Sequence, residues 1–150
     1  MNTLTRSEVV DPITTEVIRN KLEGIANEME LTLLRSSFSP IVKEGLDTSA
    51  SLFTVRGETL AQACAIPVHL ATLIPAIAAM LAKYPLPTMQ EGDAYILFAP
   101  YCGGTLLPDT AIMMPVFHGG RVIALSATMT HHGDVGGYSP GSLPPNSTEI

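Results

Sequence analysis

Positive charge is scarce in this 150-residue chain: eight Lys and Arg stand against fourteen Asp and Glu, a net charge of −6. The eight are scattered singly rather than gathered in a stripe. They give a phosphate backbone no electrostatic footprint, so nucleic acid is not an expected partner. Cysteine is scarce too. Cys64 and Cys102 lack CxxC spacing, and the opening MNTLTRSEVVDP has no basic segment leading into an apolar one. The expectation is a chain without a signal peptide, with reduced thiols, in the cytoplasm. A clean apolar run of membrane length is also missing. Residues 61–82 carry no charge, but Gln62, Pro67, His69, Thr72 and Pro75 interrupt them, and such interruptions are costly in lipid. The sequence GGTLLPD lacks the Lys and Ser/Thr of a phosphate-binding loop, and no helical pattern follows it.

What is present is apolar substance for one core: 46% of residues are hydrophobic and the mean hydropathy is +0.29. Asp11 as N-cap and Pro12 as first helical residue predict a helix from about residue 12 to Ser36/Ser37. Ile13, Val17, Ile18, Leu22, Ile25, Met29 and Leu33 form its apolar stripe at steps of three and four. Glu16, Arg19, Lys21, Glu23 and Glu28 fill the solvated side. TSASLFTV and TLAQACA read as a hairpin turning at Arg56, Gly57 and Glu58, and a helix over about 69–83, disturbed at Pro75, follows. AYILFAP has strand length, and two apolar runs joined by HGGR make a second hairpin. Helix, hairpin, helix and three strands predict an α+β fold. From His131 onward Gly, Pro, Ser and Thr dominate, which predicts a loop of about twenty residues, a length that usually signals function.

The candidate chemistry lies near that loop. His131, His132 and Asp134 fall within four positions, with glycines beside them. Adjacent strand residues point to opposite faces, so only one of the two histidines easily faces a shared site. Asp109, after GGTLLP, reads first as a turn former. Joined to an imidazole, its carboxylate suits a divalent first-row metal. Cys102 with His131 as base is the competing reading, but a free Cys is more often a small apolar residue. His118 reads as a solvated turn residue and His69 as a capping or core residue.

Four segments, DPITTEVIRNKLEGIANEMELTLLRSSFSPIVKE, AQACAIPVHL, GDAYILFAPYCGGTLLPD and HHGDVGGYSPGSLPPNSTEI, resemble in order and spacing the start of the hydantoinase B/5-oxoprolinase family. These are the B-type subunits of ATP-dependent cyclic-amide hydrolases, related to subunits of acetone and acetophenone carboxylases. The resemblance implies that residues 1–150 are an N-terminal portion of a longer domain. It implies hydrolysis of a hydantoin, 5-oxoproline or another lactam at a divalent metal, Zn or Mn, with ATP used by an A-type partner subunit. The missing C-terminal part as a separate chain is the other implied partner. Carried over by position, the metal ligands fall on Asp47, Leu106, Asp109 and His131, with His132 and Asp134 beside them as neighbours or substrate contacts. Leu106 stands where the family has a ligand His. Phe98 and Ala99 replace a frequent Asn and Asp, and Ala65 a frequent His. The alternatives are a catalytically degenerate or accessory module that keeps the fold and its partner surfaces, or a carboxylase-type subunit.

Overall fold

A computed structural model of the chain describes residues 11–63, 71–141 and 144–148. The long helix α1 spans Pro12–Ser36 and a single turn, α2, spans Pro40–Lys43. Strands β1 (Thr48–Phe53) and β2 (Thr59–Gln62) follow, then helix α3 (Leu73–Lys83). Strands β3 (Tyr95–Leu97), β4 (Asp109–His118) and β5 (Arg121–His131) complete the order. The five strands form one antiparallel sheet in the order β2-β1-β5-β4-β3. This is the α+β mixture that the element pattern predicts. No helix among the described residues is long and apolar enough to cross a membrane.

The helices take opposite faces of the sheet. Alternation along the strands places Phe53, Ala111, Met113, Leu125, Ala127 and Met129 on one side, where Leu73, Ala76, Ile77 and Met80 of α3 pack on them. On the other side Ala26 of α1 meets Ala50, Ala61 and Ala63, small residues that let the helix approach closely. The far face of β3 and β4 stays bare, with Ile96, Met114 and Val116 exposed.

α1 begins and ends where its sequence signals put it, but its apolar stripe does not all face the core. Ile13 is 74% exposed, and Val17, Ile18 and Ile25 are exposed as well. The sheet-facing side is Leu22, Ala26, Met29 and Glu30, where the helix packs chiefly on β1 and β2. α3 starts at Leu73 rather than near His69. Ala71, at φ 79°, turns the chain into the left-handed region just before it. Pro75 does not disturb the helix, because it lies in the first turn, where backbone N–H groups have no helical acceptor. Cys64, Ala65 and His69 lie outside the described residues.

The Asp11 cap can be checked directly. Its carboxylate accepts from the Thr14 backbone N–H and hydroxyl, both at 3.0 Å, and these bonds hold its pKa below the ordinary 3.8. A depressed folded-state pKa stabilises fully above the unfolded value and stops doing so as pH falls through the folded one. Helicity of the first turn of α1 is therefore expected to drop below about pH 4. Asp11→Ala should show the lower helicity already at neutral pH and lose that acid step, as followed by amide exchange at Thr14 and Thr15.

Candidate metal centre

β1 starts, β5 ends and β4 starts at the same end of the sheet, and their register sets three chemical side chains there. Asp109 and His131 are direct partners across β4 and β5. The His131 N–H donates to the Asp47 carbonyl at 3.1 Å, which places Asp47 across from His131 on the β1 side. Asp47, Asp109 and His131 share the face that α3 covers. The expected turn residue Asp109 is instead the first residue of a strand, because Leu106 and Pro108 close the turn before it: Asp109 N–H donates to the Leu106 carbonyl at 3.1 Å.

Asp109 and His131 are buried, at 3% and 4% exposure. His131 Nδ1 lies 2.8 Å from Asp109 Oδ1 and 4.0 Å from Asp47 Oδ2. An ionised carboxylate only accepts, so the short bond puts the proton on Nδ1. The other Asp109 oxygen accepts from the Thr105 hydroxyl and, at 3.1 Å, from the Leu106 backbone N–H. Asp109 is thereby locked through both oxygens, while Asp47 is half-buried and open toward solvent.

The remaining sequence candidates stand apart from this arrangement. His132 points outward, exposed, and its backbone N–H donates to the Pro108 carbonyl at 2.9 Å. Asp134 is exposed and accepts from the Gly136 N–H at 2.8 Å, closing a local turn. The Leu106 side chain is 51% exposed; only its backbone engages Asp109. Phe98 and Ala99 are exposed, and Cys102 is an exposed free thiol. His118 ends β4, paired with Arg121, rather than sitting in the turn. Sequence reasoning missed Thr105, whose signal was a hydroxyl four positions before an Asp in a turn.

Among the described residues no three His, Cys, Asp or Glu side chains already stand as a metal-holding cluster. The triplet is a hydrogen-bonded arrangement around His131, and its donor types are the test of fit. One imidazole and two carboxylates suit Zn or Mn. The spacings of 2.8 and 4.0 Å bracket the roughly 3.3 Å between neighbouring ligands of a tetrahedral ion. The donor types, one imidazole and two carboxylates, carry the fit, while the side chains as they stand do not enclose an ion.

A family model described as hydantoinase B/oxoprolinase matches residues 11–150. The chain is 37% identical over 145 residues to a 5-oxoprolinase of Dictyostelium discoideum, covering 94% of this chain and 11% of that protein. It is 33% identical over 136 residues to the B-type subunit of a putative D-/L-hydantoinase from a Pseudomonas species, covering 89% of this chain and 23% of that one. Among solved structures, the ATP-dependent caprolactamase of Pseudomonas jessenii superposes with a TM-score of 0.77 at 32% identity, over 88% of this chain and 23% of its own. The chain thus spans about a tenth to a quarter of the length of these relatives.

Proposed function

From the premise that the chain belongs to the hydantoinase B/oxoprolinase family, we propose that it forms the N-terminal part of a B-type unit of an ATP-dependent cyclic-amide hydrolase. Asp47, Asp109 and His131 would hold a divalent Zn or Mn ion there. The supporting observation is their convergence at one end of the sheet. The names of the relatives support the substrate class, since 5-oxoproline and caprolactam are both lactams.

A bound divalent ion supplies Lewis acidity toward a carbonyl oxygen and makes a water nucleophilic near neutral pH. Asp109, held by Thr105 and Leu106, keeps His131 oriented. Asp47, the least buried of the three, stands on the side from which a ring substrate approaches. Activation by ATP would belong to an A-type partner subunit, and further substrate contacts to the parts of the relatives' domain that lie C-terminal to the matched region, in the cytoplasm. The naming of the Pseudomonas relative as one subunit among others supports such a division.

Leu106 favours a second reading: an accessory module that keeps the fold and has given up the ion. Zn and Mn content of the purified chain beside an Asp109→Ala, His131→Ala double variant separates the two. The metal reading expects about one ion per chain, lost in the variant. Equal, sub-stoichiometric metal in both would establish the accessory reading instead.

A further inference from the structure

We infer that Leu46 is a positioning residue, and that its left-handed backbone rather than its side chain aims the Asp47 carboxylate at His131. The inference rests on the reading of Asp47 as a metal ligand.

Leu46 has φ 56°, a conformation in which Cβ crowds the backbone, and among the described non-glycine residues only Ala71 shares it. Its side chain is 47% exposed, so leucine packing does not hold it there. The backbone bonds on either side do. Asp47 N–H reaches back to the Ile41 carbonyl at 3.1 Å, and Thr48 N–H donates to the Leu46 carbonyl at 2.8 Å. The Asp47 carbonyl accepts from His131 N–H at 3.1 Å. The left-handed step thus lets the chain leave α2, return one bond to it and enter β1 with Asp47 already locked to β5. Strain of this kind persists where the surroundings over-determine it, and here they converge on the one residue that closes the candidate centre from the β1 side.

The two roles of Leu46 separate by substitution. Asn tolerates the left-handed region and lacks the leucine side chain, whereas β-branched Ile keeps the hydrophobic bulk and tolerates that region poorly. Zn2+ alone is titrated calorimetrically into the full chain, its Leu46→Asn and Leu46→Ile variants, and Asp47→Asn, with thermal melts alongside. Leu46→Asn is expected to bind Zn2+ within about twofold of the parent with a melting temperature no lower, and Leu46→Ile about tenfold more weakly. Parental affinity in Leu46→Ile, or a loss in Leu46→Asn as large as in Leu46→Ile, overturns the inference. If the Ile variant does not fold, Leu46→Thr, β-branched and smaller, takes its place under the same criteria. Parental affinity in Asp47→Asn sinks the ligand reading itself, a result distinct from either.

Discussion

Leu106→His is expected to tighten Zn2+ binding by about 10- to 100-fold, the span that ligand-supporting groups of metal sites typically command. Position 106 is tied to Asp109 by two hydrogen bonds of 3.1 Å, its N–H donating to the carboxylate and its carbonyl accepting from the Asp109 N–H, so its backbone lies beside the carboxylate. Leucine there is half exposed, and replacing it opens no cavity. A fourth donor, a nitrogen, would turn an open three-donor set into the four-coordinate site that zinc prefers. Competition against a chelator of known affinity measures the gain. Unchanged affinity would mean that Asp47, Asp109 and His131 do not present their donors to a common ion.

Asp109→Ala is expected to cost about 3 kcal/mol of folding stability even without metal. Its carboxylate accepts from Thr105, Leu106 and His131 in a buried setting, and alanine leaves all three donors without that partner. For a chain of this size the loss corresponds to a melting temperature lower by about 6–12 °C. Asp109→Asn should cost less, because the amide oxygen still accepts while its NH2 group conflicts with one donor. Thermal melts of the metal-free proteins test this; a loss under about 1 kcal/mol for alanine would show that water replaces the carboxylate readily.

Much of the fold was legible because its signals are local. Asp11–Pro12 marks a helix start, Gly57 turns the first hairpin at φ 81°, and Gly119 and Gly120 turn the second at φ 56° and 75°. The start of α3 was not, since the left-handed Ala71 follows from no residue preference of alanine. Nor was the partial exposure of α1, which depends on what packs against it.

The candidate centre was legible as a set of residues and not as a geometry. Counting outward from the HGGR turn pairs Asp109 with Thr130 and sends His131 to the other face. A bulge between Val116 and Phe117 adds one residue to β5 and delivers His131 instead. No turn or breaker residue in VFHGGRVIA announces that extra residue on the β5 side. The resemblance to a family supplied the grouping that periodicity could not.

The same hairpin decides where the molecule opens most easily. Asp109 and His131 are its outermost rung, farthest from the glycine turn, while the inner rungs carry the buried Met113 and Leu125. Strand ends separate at lower free energy than strand centres, so the rung that carries the chemistry can part by local fluctuation while the core stays closed. Amide exchange at His131 faster than at Leu125 is the expected sign of such opening, and entry of a ligand would then not require the sheet to unfold.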